Sequence, residues 1–373
     1  MNRACRAAAA TANRHSIQEL KARATRKVPR SSSYRKLWRN YCHRFAEDVQ
    51  DELRQSIGSN VDYMRAAQRL EFELGATGAN QGVMPDFSND SALRGYSLQH
   101  FGRVRLLGDL MTQTQPEWLE RRVEELFPIT GAGGRKSSSD SNSNFDDEPS
   151  GKQVPPKVDL VSLGGGPGYD FVACAALSEY RSGPDVHAHV YEYENQWKSS
   201  VHSMESAAHA ILGSDRHRCN FGQCDITLPL SDAINAEVAE GVNGEGKIFV
   251  CSYCVVENAL ALRNRDWTFF RDLFSEAVDG ALFFIPDTTH RLWPELAGVA
   301  KDAGLRFATP HVRCGKAGWH FVAFKDTGHP GDRYYNTAIS RDLLERFKAD
   351  NAAHLNRLER GWKRESRKIK GSK

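Results

Sequence analysis

The chain has 373 residues, of which 40% are hydrophobic and 26% are charged, and its formal net charge is +3. This composition is typical of a globular protein and excludes fibrous and fully disordered proteins, while the length suits two domains or one large domain with extensions. The longest apolar runs reach about eight residues, and roughly 18 are needed for a membrane span, so no contact with a membrane is expected.

The two ends of the chain are basic, although the average charge is almost neutral. Residues 1–40 contain eleven Lys or Arg and one acid, Glu19, while residues 345–373 contain ten Lys or Arg and four acids. The Arg, Ala and Ser of residues 1–40 leave three interpretations: a disordered basic tail, a mitochondrial or plastid transit peptide, or a nucleic-acid-binding arm. RNA is therefore a candidate partner of the basic ends.

Eight cysteines are scattered along the chain, and no secretory signal precedes them. This favours reduced thiols in an intracellular protein of the cytoplasm or nucleus, unless a transit peptide directs it elsewhere. Cys251 and Cys254 have a metal-like spacing, but residues three apart on a strand point to opposite faces, and no second pair follows. No metal site is expected.

The section from 41 to 129 is predicted to be helical. Apolar residues recur at helical spacing from Tyr41 to Leu74, with a break near residues 58–60, and again from Ser91 to Phe127. Residues 130–156 contain almost nothing that can be buried, so they are predicted to form a disordered linker. The helical section is then a candidate lid or substrate region.

Strands and helices are predicted to alternate from 157 to 326. The predicted strands are Val158–Leu163, His187–Glu192, Lys247–Ser252, Ala281–Ile285, Arg306–Val312 and His320–Phe324. The predicted helices are Asp170–Glu179, Gln196–Leu212, Ser231–Glu240, Trp267–Val278 and Trp293–Ala303. This alternation indicates an α/β fold with a parallel sheet covered on both faces, followed by a basic C-terminal helix or tail at 327–373.

A glycine-rich turn, Gly164–Gly168, directly follows the first of these strands and precedes a helix. Glycine tolerates positive φ and lets the backbone approach a ligand, while the helix presents unpaired N–H groups. The dinucleotide pattern G-x-G-x-x-G does not fit, because its sixth place falls on Tyr169 or Phe171. A phosphate-binding P-loop is excluded because G-K-[ST] is missing, and the pattern that fits is G-x-G-x-G.

This turn resembles the first motif of class I, Rossmann-like, S-adenosylmethionine-dependent methyltransferases. The resemblance implies a doubly wound, seven-stranded, mostly parallel sheet with helices on both faces, here preceded by a helical section. It also implies that S-adenosyl-L-methionine binds at Gly164, Gly165, Gly166, Pro167 and Gly168. The family usually has an acid two places before the first glycine, where this chain has Ser162, so Asp170 is an alternative group for the methionine part of the cofactor.

Two further acids have positions that the resemblance assigns to the cofactor. Glu192 ends the second strand, where a carboxylate accepts hydrogen bonds from the ribose hydroxyls, and Glu194 is the alternative. Asp225 follows the segment that looks like the third strand, where the family places an acid that binds the adenine amino group. Two of these acids also have an ordinary structural role available, Glu194 as a charge at the amino end of the next helix and Asp225 as a residue before a turn.

Polar residues after the fourth and fifth strands are the catalytic candidates. After the fourth strand come Ser252, Tyr253, Glu257 and Asn258, at the edge where open α/β sheets bind ligands. Ser252 is also a candidate for cofactor binding. Asp287 and His290 follow the fifth strand, where they either orient or deprotonate a nucleophile or serve as a turn acid and an exposed histidine.

Three hypotheses about function remain open. The first is an RNA methyltransferase, favoured by the basic ends and by a loose similarity of the string S-Y-x-x-x-E-N at Ser252–Asn258 to eukaryotic methyltransferases of ribosomal RNA. The second is a small-molecule or protein methyltransferase with the helical section as its lid. The third is a module that binds the cofactor without catalysis.

Overall fold

A computed structural model describes residues 32–58, 60–78, 85–129, 157–242, 244, 247–312, 318–326, 344–349 and 352–353. The predictions for residues 1–31, for the linker at 130–156 and for most of the basic C-terminal segment lie outside these residues. Within the described ranges, no helix is long and apolar enough to cross a membrane.

Five helices precede the sheet in the described part of the chain. They are α1 (Ser32–Ile57), α2 (Val61–Gly78), α3 (Asp90–Gln99), α4 (Gly102–Met111) and α5 (Glu117–Leu126). The helical section is thereby confirmed. The assignment of residues 32–40 to a tail is wrong, because these residues form the first turns of α1 and bury Tyr34 and Trp38.

The strands form one seven-stranded sheet in the order β3-β2-β1-β4-β5-β7-β6. They are β1 (Lys157–Leu163), β2 (Asp185–Glu192), β3 (Arg218–Gln223), β4 (Lys247–Cys251), β5 (Leu282–Ile285), β6 (Leu305–Ala308) and β7 (Phe321–Lys325). Strands β1 to β5 are parallel, while β7 runs antiparallel to both β5 and β6. The predicted doubly wound, mostly parallel sheet is confirmed.

The connecting helices agree with the predicted ones in position, with two differences. They are α6 (Tyr169–Arg181), α7 (Lys198–Leu212), α8 (Ala236–Gly241), α9 (Ala259–Asn264), α10 (Thr268–Glu276) and α11 (Trp293–Asp302). The helix predicted at Ser231–Glu240 is shorter, because a 3₁₀ turn at Ala233–Asn235 precedes α8. Helix α9 was not predicted, since six residues are too few for a periodic pattern.

Each face of the sheet carries its own apolar core. Along β1, Leu160 faces one buried cluster and Val161 the other, and along β4 the same alternation separates Val250 from Phe249. This is the two-residue periodicity of a strand that is covered on both sides. The first cluster also contains the buried side chains of α1, α4 and α5, so the helical section shares a core with the sheet.

Trp38 shows how closely the helical section is packed. Its indole is fully buried, lies 5.3 Å from the ring of Tyr180 on α6, and donates through Nε1 to the carbonyl of Gly108 at 3.1 Å. A Cβ at Gly108 would approach the Trp38 ring to 2.9 Å. Helices α1, α4 and α6 therefore meet at a point where only glycine leaves enough room for the indole.

Candidate functional site

The glycine turn has the backbone geometry that requires glycine. Gly164, Gly166 and Gly168 have φ values of 62°, 54° and 93°, in the left-handed region that other residues enter at a cost of about 1–2 kcal/mol. The N–H of Gly164 donates to the carbonyl of Tyr191 at 2.9 Å, which ties the turn to β2, and α6 begins directly after Gly168. Gly164 and Gly166 line a cavity of about 360 Å³, a volume typical of small-molecule sites.

Glu192 lies where β2 ends and faces the glycine turn. Its Oε1 accepts a hydrogen bond from the N–H of Gly166 at 2.6 Å, and both Glu192 and Glu194 line the cavity. Burial raises the pKa of the Glu192 carboxyl to about 7, although the N–H groups of Gly166 and Tyr193 favour the ionised form. The glycine turn and the end of β2, which the resemblance assigns to one cofactor, are thus in direct contact with each other.

Asp225 lies in the turn after β3, and the turn is held from behind by a buried amide. Asp225 Oδ1 accepts from the N–H and the hydroxyl of Thr227 at 2.8 and 2.7 Å. The fully buried Asn235 accepts from the N–H of Asp225 at 2.9 Å and donates to the carbonyls of Asp225 and Pro229. Asp225, Ile226 and Thr227 all line the cavity.

Ser162 and Asp170 lie behind the cavity and are absent from its wall. The Asp170 carboxylate is 1% exposed, and it accepts from Ser162 at 2.7 Å and from Ser252 at 2.9 Å. Burial raises the pKa of Asp170, and both serine hydroxyls oppose the shift. Asp170 therefore connects the ends of β1 and β4, and of these three residues only Ser252 borders the cavity.

The loop after β4 supplies four of the predicted catalytic residues to the cavity wall: Ser252, Tyr253, Glu257 and Asn258. Tyr253 has a φ of 65°, and its N–H donates to the carbonyl of Pro286 at 2.9 Å. Burial raises the pKa of the Glu257 carboxyl to about 8, the positive charge of Arg103 opposes this shift, and the nearby Asp287 adds to it. A carboxyl group that titrates near neutral pH is suited to proton transfer.

The same loop corrects the geometry expected for the C-x-x-C segment. Cys251 and Cys254 do not point to opposite faces, because the chain leaves the strand after Cys251 and turns at Tyr253. Their sulfur atoms lie 3.0 Å apart, and Cys254 also lines the cavity beside Gly164. A Cβ at Gly164 would approach the Cys254 sulfur to 2.6 Å, so this contact also needs glycine.

The structure does not place Asp287 and His290 at the cavity. Asp287 is 1% exposed and accepts from the N–H groups of Val256 and Thr288 at 2.9 and 2.6 Å, so it holds the loop that carries Glu257. Burial raises its pKa to about 6. The His290 ring packs against Phe347, with 4.3 Å between the ring centroids. Asp287 therefore has a structural role as a turn acid, which was the alternative to a role in catalysis.

Part of the cavity wall comes from the helical section, the candidate lid or substrate region, but the individual residues that it contributes were not predicted. These residues are Leu74, Pro85, Phe87, Tyr96 and Arg103. They precede the glycine turn by about sixty residues or more in the sequence, and no spacing rule connects segments so far apart. Arg103 and Arg105 are both cationic residues beside the apolar positions of α4, so the sequence did not single out Arg103.

Arg103 is surrounded by tyrosines. Its guanidinium donates to the hydroxyl of Tyr96 at 2.6 Å, and its central carbon lies 4.3 Å from the ring centroid of Tyr253 and 6.0 Å from that of Tyr169. Guanidinium groups bind favourably over aromatic faces at such distances. Tyr96 in turn packs edge-on against Trp197, at 5.4 Å between centroids, which makes this wall of the cavity aromatic.

No protein-family model and no curated protein sequence matches the chain. Solved structures do match. They include precorrin-6y C5,15-methyltransferase from Geobacter metallireducens GS-15, with a TM-score of 0.30 and 8% identity over 47% of this chain and 83% of that one. The CMeT domain of the citrinin polyketide synthase matches with a TM-score of 0.35 and 12% identity over 74% of this chain and 68% of that one. A Listeria monocytogenes protein described as a class I S-adenosylmethionine-dependent methyltransferase matches with a TM-score of 0.35 and 11% identity over 81% of this chain and 98% of that one.

Proposed function

We propose that this chain is an S-adenosylmethionine-dependent methyltransferase. The observation that carries the proposal is the contact between Glu192 and the N–H of Gly166 on the wall of one cavity. A glycine backbone open to the cavity admits a ligand at close range, and the carboxylate beside it can accept hydrogen bonds from a pair of ribose hydroxyls. Both features suit an adenosyl ligand.

In this proposal, residues at the carboxyl ends of neighbouring strands bind different parts of the cofactor. Glu192, with Glu194 as the alternative, binds the ribose, and Asp225 after β3 binds the adenine amino group. The bound cofactor supplies an activated methyl group. The chain's own residues orient the acceptor and exclude water, and the aromatic side chains of Tyr96, Trp197 and Tyr253 serve both purposes.

Glu257 is the proposed proton-handling group. It borders the cavity in the loop after β4, and its raised pKa leaves much of the carboxyl protonated at neutral pH. The protonated form can donate a hydrogen bond that orients an acceptor, and the ionised form can take up the proton that the acceptor loses. Ser252, Tyr253 and Asn258 are the proposed positioning groups for the acceptor end.

Cofactor binding can be tested with two alanine substitutions that share the same backbone cost. Gly166→Ala places a Cβ in open space, 4.0 Å from Glu192 Oε1, whereas Gly58→Ala lies between α1 and α2 with nothing within 4 Å. Both positions have positive φ, so both substitutions cost about 1–2 kcal/mol of stability. We expect calorimetry to show at least a tenfold loss of S-adenosylmethionine affinity for Gly166→Ala alone. A wild-type chain that does not bind the cofactor would refute the proposal.

We propose RNA as the acceptor, supported by the basic ends of the chain and by an aromatic wall that suits a planar base. The test incubates the chain with radiolabelled S-adenosylmethionine and separated RNA, protein and metabolite fractions. Label in RNA is the expected result. Neutral substitutions of the Lys and Arg in 345–373 should then reduce RNA affinity and its salt slope. Unchanged affinity and slope would exclude this role of the basic end.

A small-molecule or protein acceptor is the second candidate, favoured by the side chains that the helical section adds to the cavity. Leu74, Pro85 and Phe87 border the site next to the aromatic wall. If this candidate holds, label appears in the metabolite or protein fraction, and Phe87→Ala changes which acceptor is methylated. Tight cofactor binding without label in any fraction would instead indicate a module that binds the cofactor without catalysis.

A further inference from the structure

The cavity wall carries more acidic than basic side chains. Four are acids, namely Glu192, Glu194, Asp225 and Glu257, and among the described residues Arg103 is the one Lys or Arg on the wall. A site with this composition attracts cationic ligand groups to its acidic part and leaves one position for an anionic group. That position is at Arg103, on α4 of the helical section.

The surroundings of Arg103 leave it able to bind an anion. Tyr96 accepts one of the five N–H donors that a guanidinium carries, and the rings of Tyr96 and Tyr253 hold the planar group in place. Tyrosine hydroxyls and rings are neutral, so they orient the cation without cancelling its charge. The carboxyl group of Glu257 also acts on the charge of Arg103, and its own raised pKa leaves much of that carboxyl protonated at neutral pH. A carboxylate is the anion whose two oxygens match this planar fork best.

The order of the strands indicates which part of the cofactor reaches Arg103. Asp225 follows β3, Glu192 ends β2, Gly164 follows β1 and Tyr253 follows β4, and these strands are neighbours in this order. If adenine lies at Asp225 and ribose at Glu192, the rest of the cofactor extends across β1 toward β4. Arg103 lies over the ring of Tyr253 at that end.

We propose, on the basis of the proposed function, that Arg103 binds the α-carboxylate of the methionine part of S-adenosylmethionine. This carboxylate is the only anionic group of the cofactor, whose sulfonium and ammonium groups are cations that suit the acidic wall. The helical section then contributes directly to the cofactor site, because α4 supplies the group that recognises the amino-acid end.

The proposal can be tested with a pair of ligands that differ in one group. S-adenosylmethionine and decarboxylated S-adenosylmethionine are measured by calorimetry against wild type, Arg103→Met and Arg103→Lys. We expect wild type to prefer the carboxylated ligand, and Arg103→Met to lose about 10- to 100-fold in affinity for it while changing about twofold or less for the other. Arg103→Lys, which keeps the charge without the fork, should be intermediate.

Arg105→Met is the matched control, since Arg105 lies on the same helix but faces Glu47 at 3.7 Å, away from the cavity. It should leave both affinities unchanged. Equal losses of both ligands in Arg103→Met, or a wild type that binds both ligands equally, would overturn the assignment of Arg103. The wild-type comparison holds even if a variant fails to fold. A wild type that binds neither ligand would refute the proposed function itself.

Discussion

Glu257 is a carboxyl group for which ionisation is costly. Burial is the main cause of its raised pKa, and the neighbouring carboxyls of Asp287 and Glu192 add to it, while Arg103 opposes it. The group therefore titrates near pH 8 in the folded chain and near its ordinary value of 4.5 in the unfolded chain. Between these values the unfolded chain loses the proton first, so folding becomes less favourable as the pH rises.

Glu257→Gln should accordingly change stability in a pH-dependent way. The stability associated with the protonated carboxyl is fully present below about pH 4.5 and is lost as the pH rises through about 8, whereas glutamine cannot ionise. Measured by thermal unfolding, the Tm of the variant relative to wild type should increase from pH 5 to pH 9. Glu117→Gln, at an exposed position, is the control and should show no such trend. A constant difference across this range would contradict the prediction.

Individual site residues differed in how far the sequence could predict them. Gly164, Glu192 and Ser252 lie at strand ends, and the carboxyl ends of parallel strands share one edge, so their convergence follows from the order of elements. Arg103 could not be found in this way, because its place in the site depends on how α4 packs. Nor did the sequence distinguish Asp170, which holds two strands together from behind, from residues that face the cavity.

The turn after β3 depends on one side chain from the next element. Asn235 is the last residue of the 3₁₀ turn Ala233–Asn235. Its side chain accepts a hydrogen bond from the N–H of Asp225 and donates to the carbonyls of Asp225 and Pro229. Asn235→Ala would leave these buried groups without partners, and we expect a loss of about 2–3 kcal/mol in the free energy of unfolding, measured in urea. It should also weaken cofactor binding through Asp225. Asn195→Ala, at an exposed position of the 3₁₀ turn Asn195–Trp197 that precedes α7, should have neither effect.

Short and edge elements were the hardest to predict. Strand β3 lies at the edge of the sheet, and its sequence, Arg-Cys-Asn-Phe-Gly-Gln, contains too few apolar residues for a clear alternating pattern. The resemblance indicated its place, whereas the periodicity did not. Helix α8 begins late because Asp232 caps the 3₁₀ turn instead, through a hydrogen bond from the N–H of Ile234. A local hydrogen bond thus overrides the helical pattern at the start of α8.

The helical section and the sheet should unfold together, because one core includes both. Trp38→Ala removes the indole that packs against Tyr180 on α6, and we expect a loss of about 3–5 kcal/mol. Far-UV circular dichroism and cofactor affinity should be lost at the same urea concentration in wild type and at a lower one in the variant. Two separate transitions, with cofactor binding retained after the first, would show that the section is an independent unit.

The alternation of strands and helices indicated the α/β arrangement because the strands other than β3 have the apolar pattern of a covered sheet. The alternation did not indicate where α1 to α5 would pack, because an apolar helix face does not specify which other apolar surface it contacts. The predicted boundary at residue 157 therefore follows the change in pattern, while the shared core of Trp38, Tyr180 and their neighbours extends across it.

Arg103 also limits how this chain can be shortened. A fragment that starts at residue 157 would contain the whole sheet and the glycine turn, yet it would expose the apolar side of α6 to water and would lack Arg103, Tyr96 and Phe87. Such a fragment should aggregate on expression and give no signal with the cofactor. Excising the sheet for crystallisation, fusion or transplantation into another protein therefore requires the helices before it as well.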